Sequence, residues 1–294
     1  MIGPPNGRIV EGAVEAAEAF GLPIDRLTAA EVRERFPLHA SVPDEYAAVW
    51  DPGAGAVKPE DGVVAAVAEA RKHGATVFEN TGVERIEALD GGGYRIGTAA
   101  GEIHARKVIV AAGPWLGKLF PELPLTPRRT PMMWFAPPGD LEAEATHGLD
   151  DFPVFIRQID DEVSLWGHGA IWGHGVKIGL EDRGPEFDDC DPDTVDRGIS
   201  PARDWRQLSE VVTQAVPGLD PVPERAITCM ITNTPDMQFL LGELDGRPGL
   251  IVAGGCSGHG FKHATAVGEH LAEVALGQLH TVALDFTDPN RFAK

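Results

Sequence analysis

GLIVAGGCSGHGFKHATAVGEHLAEVAL, residues 249–276, reads as a strand, a glycine turn and a helix. Leu250–Ala253 is a short apolar run bounded by glycine, the pattern of a buried strand. Gly254, Gly255, Gly258 and Gly260 free the backbone, and a helix is expected to start near Lys262. A glycine turn feeding a helix N-terminus lets backbone N–H groups approach an anion or a polarised ring closely. Counted from Gly255, the glycines fall at positions 1, 4 and 6, which is not the GxGxxG spacing. On spacing alone, a plain tight turn is an equally good reading.

The flanking sequence alternates between helical and strand patterns. Residues 7–20 form an amphipathic helix ended by Gly21 and Pro23. Thr28 with Glu31 makes a capping box for a second helix, and a strand is expected at Ala47–Trp50. Residues 59–73 are the clearest helix of the first half, with Pro59, Glu60 and Asp61 in the first turn and Gly74 at the end. Ala75–Glu79 reads as extended, Val83–Leu89 and Gly93–Thr98 flank an Asp-Gly-Gly-Gly turn, and Lys107–Ala112 is a short buried run. Together these predict a β-α-β unit carrying a small antiparallel meander. Residues 125–235 hold apolar or alternating runs of five to eight residues between Gly, Pro and Asp turns, the signature of an antiparallel sheet. One helix is expected there, at 204–216.

Composition narrows the function classes. The chain has 294 residues with 25 basic and 45 acidic side chains, a net charge of −20. Nucleic acid and anionic membrane surfaces need a basic footprint, so neither is expected as a partner. The three cysteines, Cys190, Cys229 and Cys256, form neither a CxxC motif nor a disulfide framework, and a cytoplasmic location is the expectation. No apolar run reaches the 18 residues of a membrane span. His259 and His263 are four apart, but Gly260 lies between them and no further ligand has suitable spacing, so no metal site is expected.

The wording of the glycine turn carries more than its spacing. GGCSGHGFKHATAVGE resembles the C-terminal flavin loop of the monomeric sarcosine oxidase and N-methyl amino acid oxidase family, within the D-amino acid oxidase superfamily of FAD-dependent amine oxidoreductases. Four further stretches agree in the family's order: KVIVAAGPW (107–115), HGVKIGLE (174–181), DPDTVDR (191–197) and TCMITNTPDMQFLLGEL (228–244). The resemblance implies a fold of class α/β and α+β, the remainder of a Rossmann-like FAD-binding domain interleaved with an antiparallel-sheet substrate domain. It places the substrate domain at 1–50 and 125–225, and the FAD-binding domain at 51–124 and 226–294, the latter with the flavin loop and helix.

Residue roles are implied one at a time. Cys229 matches the cysteine that links covalently to the flavin; by itself it also suits a buried structural thiol. Lys177 matches a lysine over the flavin that promotes reaction with oxygen, and Lys262 a lysine that holds the substrate carboxylate; either could otherwise be an exposed lysine. Val83 matches a valine whose backbone meets the adenine, and Ala111, Ala112 and Gly113 a close-approach turn beside the cofactor. Gly255, Ser257, Gly258, His259, Gly260, Phe261 and Lys262 are implied flavin-loop contacts.

The chain also departs from the family pattern. No GxGxxG occurs, and residue 1 aligns past the dinucleotide-gripping unit, so a truncated chain with an internal methionine at position 1 is the expectation. Glu181 stands at the position of an active-site histidine, Ile231 and Trp166 at positions of tyrosines, and sarcosine itself becomes a doubtful substrate. The implied activity is oxidation of the C–N bond of a secondary amine or N-methyl amino acid by oxygen, giving an imine and hydrogen peroxide. The rival readings are a catalytically silent or partner-dependent chain, and a flavin dehydrogenase of the same family.

Overall fold

The computed structural model describes residues 1–139, 142–161, 163–180, 189–278 and 282–293. The N-terminal part contains β1 (Ile2–Gly3), α1 (Arg8–Phe20), β2 (Asp25–Thr28), α2 (Ala29–Arg35) and β3 (Ala47–Trp50). The capping box at α2 forms as expected: the Thr28 side chain accepts from the Glu31 N–H, and Glu31 accepts from the Thr28 N–H. Next come α3 (Pro59–Lys72), β4 (Val83–Ala88), β5 (Tyr94–Thr98), β6 (Gly101–Ala105), β7 (Val108–Val110) and α4 (Leu116–Leu119). The middle of the chain supplies β8 (Thr126–Phe135), α5 (Ala143–His147), β9 (Phe155–Gln158), β10 (Ser164–His168), β11 (Val176–Leu180) and α6 (Arg206–Ala215). The last elements are β12 (Arg225–Asn233), β13 (Leu240–Glu243), β14 (Leu250–Gly254) and α7 (Ala264–Leu276).

The chain divides into two compact units. The first gathers Met1–Val57, Arg129–Asp188 and Asp196–Cys229; the second gathers Lys58–Arg128, Asp189–Val195 and Met230–Lys294. The first is built on a sheet of order β12-β8-β11-β10-β9-β1-β3-β2. Alternation along its strands sends Met133, Phe135, Leu165, Val176 and Ile178 to one face, where Leu208 and Val212 of α6 cover them. These side chains are almost wholly buried, and each such burial is worth roughly 1.5–3 kcal/mol before the entropy of ordering is set against it. The intervening residues Trp134, Trp166, His168 and Lys177 stay on the opposite, half-buried face.

The second unit has a sheet of order β13-β14-β7 and a separate β4-β5-β6 meander. The parallel pair is β14 with β7, and β13 runs antiparallel to β14. β14 is covered on both sides: Leu250 and Val252 pack with Tyr94, Val110 and Leu116, while Ile251 packs with Leu241 and with Leu271 of α7. That double burial explains its unbroken apolar sequence.

Three expectations need correction. Ala47–Trp50 and α3 do not open a β-α-β unit, because β3 pairs antiparallel with β1 and β2 in the other sheet. Ala75–Glu79 joins no ladder among the described residues, and its Phe78 is exposed. The run at 107–112 is not buried throughout: among the described residues β7 ends its sheet, so Val110 is buried but Ile109 is 42% exposed.

Candidate active site

The glycine turn leaves β14 through Gly255, whose φ of 66° lies in the left-handed region. A Cβ there would stand 2.5 Å from Cγ2 of Thr234, so only glycine fits without movement. Ser257 is held at a φ of 47°, unusual for a residue with a side chain. Its N–H donates to the Thr232 carbonyl at 3.0 Å, and its hydroxyl donates to the Gly255 carbonyl at 3.0 Å. Those bonds fasten the turn to the end of β12. At Gly258, with φ 81°, a Cβ would meet nothing within 4 Å, so bare backbone faces open space. A short 3₁₀ turn, Phe261–His263, then leads into α7.

The loop after β12 is shaped by its own side chains. Thr234 donates to Asp236, whose carboxylate takes two hydrogen bonds from Arg291 at 2.8 and 2.9 Å. The Arg291 guanidinium holds the Asp236 carboxyl far below the usual carboxylate range, against a smaller upward push from burial. The turn after β7 has a similar clip. Trp115 Nε1–H donates to Asp193 at 2.7 Å, and the Lys118 ammonium binds both Asp191 and Asp193. Lys118 first and Trp115 second lower the Asp193 pKa. The resulting frame carries Ala111 and Gly113, the latter at φ 53°.

Between these pieces lies a cavity of about 620 Å³ within the second unit. Ala111, Gly113, Gly255, Gly258, Gly260 and Phe261 line it together. Its wall also includes Met230, Ile231 and Thr232 of β12, Phe239, and the α7 face through Ala264, Val267, Gly268 and Leu271. The sequence reading did not select those wall residues, apart from Ile231 noted as a substitution. The 3-4 spacing along α7 was the available signal.

The other selected residues lie elsewhere. Ala112 packs into the core beside the turn, Ser257 is buried beneath the loop, and Val83 is exposed at the start of β4. His259 is half-buried; its Nδ1 sits 3.1 Å from the Ser257 carbonyl and its ring 4.9 Å from the ring of Phe239. Lys262 is exposed in the 3₁₀ turn, and burial, with the charges of Lys262 and His259, lowers the pKa of His263. Cys229 is half-buried on β12, one residue before Met230, and Lys177 lies on the first unit's sheet. Glu181 falls outside the described residues. Among the described residues no group of three or more His, Cys, Asp and Glu is placed to hold a metal ion, and no helix is long and apolar enough to cross a membrane.

The family model for FAD dependent oxidoreductases matches residues 7–274. This chain belongs to that family. It is 31% identical to the monomeric sarcosine oxidase of Streptomyces avermitilis, over 100% of this chain and 75% of that protein. It is 30% identical to the N-methyl-L-tryptophan oxidase of Yersinia pestis (strain Pestoides F), over 91% of this chain and 69% of that protein. The fold is similar to that of L-proline dehydrogenase from P. horikoshii, with a TM-score of 0.80, 22% identity and coverage of 98% and 75% of the two chains. The chain is therefore an FAD-dependent oxidoreductase. Its cavity fits a planar, largely apolar ring system: the volume is of the right order, the walls are apolar, and the glycines leave room for a flat group against the backbone.

Proposed function

We propose that this FAD-dependent oxidoreductase oxidises the C–N bond of a secondary amine or N-methyl amino acid. The observation that carries the reading is the cavity itself, in which the flavin-loop glycines and the turn after β7 form one wall around an apolar space. Bound FAD would supply the two-electron acceptor: the amine loses a hydride equivalent and a proton to become an imine, and oxygen takes up two electrons and two protons as hydrogen peroxide. The chain's own residues bind and orient. Gly113, Gly255, Gly258 and Gly260 admit the ring system, with Ala111, Ala112, Ser257, His259 and Phe261 shaping its surroundings. Val83 would meet the adenine.

Lys262, an exposed cation just ahead of α7, would hold the substrate carboxylate. Lys177 would set a positive charge where oxygen gains electrons. Cys229 would carry the covalent link. In this reading the second unit belongs to the FAD-binding domain and the first to the substrate domain. Because no GxGxxG occurs in the sequence, full FAD binding would draw on a further dinucleotide-gripping segment.

The test is to load the full chain with FAD and follow peroxide release with sarcosine, N-methyl-L-tryptophan and a panel of other secondary amines. Peroxide from at least one secondary amine is expected, and its absence together with an unreduced flavin across the panel overturns the reading. Yellow colour that survives acid precipitation in the parent, and is lost in Cys229→Ala, checks the covalent link. Colour retained in the variant assigns that link elsewhere.

A further inference from the structure

Strand pairing sets Trp134 of β8, Lys177 of β11 and His168 of β10 side by side, on the sheet face away from the apolar core. Trp166 stands on the same face opposite Gly179. Its indole occupies the space that a side chain at 179 would fill: a Cβ there would come within 2.4 Å of Cζ2 of Trp166. The indole Nε1–H donates to the Leu180 carbonyl at 2.9 Å, which fixes the direction of the ring. The Lys177 ammonium thereby lies 5.4 Å from the ring of Trp134 and 5.5 Å from that of Trp166, one from each neighbouring strand. Both distances are inside the range of about 6 Å over which an indole face attracts a cation. Trp134 also takes the guanidinium of Arg225 at 4.7 Å, so its own placement does not depend on Lys177 alone.

Lysine is a point charge on a flexible stem, and an unsupported lysine spreads its charge over many rotamers. Two rings on opposite sides of β11 restrict that spread, and their quadrupoles favour the charged form. His168 is the titratable neighbour of Lys177 on β10. Burial lowers its pKa, its bond to the Gly169 carbonyl opposes that shift, and the charge of Lys177 adds to the lowering.

We propose that Trp134 and Trp166 are positioning residues that hold the Lys177 ammonium charged and fixed between their indoles. The proposal rests on the reading of Lys177 as the oxygen-side cation for its functional meaning, but the holding itself can be measured separately. In the full chain, reductive methylation with ¹³C-formaldehyde lets the Lys177 methyl signal be titrated by NMR, assigned by its absence from Lys177→Met. Trp134→Leu and Trp166→Leu should each lower the midpoint by roughly half a pH unit or more. Replacing tryptophan throughout with a polyfluorinated analogue drains the ring quadrupole at nearly constant shape, and should lower the midpoint without unfolding the sheet. A midpoint unmoved by the leucine variants, or by fluorination where those variants do not fold, overturns the proposal.

The functional arm uses FAD-loaded protein, reducing the flavin anaerobically with a reactive amine and then mixing with oxygen. The tryptophan variants should slow reoxidation several-fold, and Lys177→Met should slow it further. If Lys177→Met reoxidises normally, the oxygen-side reading of Lys177 fails, and the NMR arm alone decides the holding. If Lys177→Met is slow and neither tryptophan variant moves midpoint or rate, the positioning proposal fails and the reading of Lys177 stands.

Discussion

Gly255 and Gly258 both sit at positive φ in one turn, yet they face different surroundings, and this separates folding from binding at single residues. A Cβ at Gly255 would strike Thr234, whereas one at Gly258 would stand in the open cavity lining. Gly255→Ala should combine backbone strain with overpacking, about 2–4 kcal/mol of lost stability. Gly258→Ala should cost only the strain, ~1–2 kcal/mol, but weaken FAD binding about tenfold or more through the intruding methyl. Denaturant melts and FAD titrations of the two variants check this, and equal losses of stability would sink the distinction. Glycine identity is local, so this turn was legible in the sequence. His39 was not, because nothing in its neighbourhood announces that it is 1% exposed between the rings of Phe152 and Phe155. Burial, reinforced by the nearby Arg157 charge, lowers its pKa to about 3. The unfolded histidine binds a proton near pH 6.5 while the folded one does not, so stability contributed at neutral pH is lost as pH falls from about 6.5 toward 3. Between pH 7 and pH 5 His39 should account for about 2 kcal/mol of the loss by urea unfolding, and His39→Leu should remove that share while leaving the part due to His147 and His168, whose pKa values burial also lowers.

The elements most legible in the sequence are those that carry their own ends. α1, α2 and α3 lie within a residue or two of expectation, because the Thr28 capping box, Pro59 and the closing glycines act within a turn. Strand partnerships were not legible: β3 looks the same whether it leads into α3 or joins β1 and β2, and long-range pairing decides between them. A buried cluster at the start of α6 also escaped notice. Arg129 on β8 binds Asp204, the Gly198 carbonyl, the Asp196 carbonyl and the Thr228 hydroxyl. Arg129 and Asp204 have side-chain exposures of 4% and 0%, so β8, the turn leading into α6 and the Thr228 position of β12 share one desolvated ion pair. Burial pushes the Asp204 carboxyl up, but bonds from Arg129, Arg203 and the Ser200 N–H outweigh it and lower the pKa. Asp204→Ala leaves the guanidinium buried without its counter-charge and should cost about 3–5 kcal/mol. Arg129→Met with Asp204→Leu, which removes both charges, should recover most of that loss. A double variant as unstable as Asp204→Ala would show that the cluster acts through shape and not through charge.

The apolar residues of the second unit are not all used inside it. No residue of α3 is buried, and Val63 and Val64 are 55% and 69% exposed. β7 is an edge of its sheet among the described residues, and it leaves Ile109 open to solvent. Phe78, between α3 and β4, is 64% exposed as well. A 14-residue helix is marginal in water unless one face is packed, and an open apolar strand edge is a template for pairing with another chain. Single exposed apolar side chains are ordinary, but a helix and a strand edge left uncovered in one unit are not. The same residues explain why the sequence suggested a β-α-β arrangement here: their patterns are those of elements covered on more sides than this chain covers. The amides of α3 should therefore exchange with solvent far faster than those of β14, whose residues Leu250, Ile251 and Val252 are at most 2% exposed. Exposed apolar area should also drive self-association that grows with concentration. Val64→Glu combined with Ile109→Lys removes two of these contacts from positions that contribute little to any core, so the melting temperature should hold while sedimentation velocity shows less association. A variant that associates as before while melting as before would place the sticky surface elsewhere. One that melts early would show that these side chains are packed in solution after all.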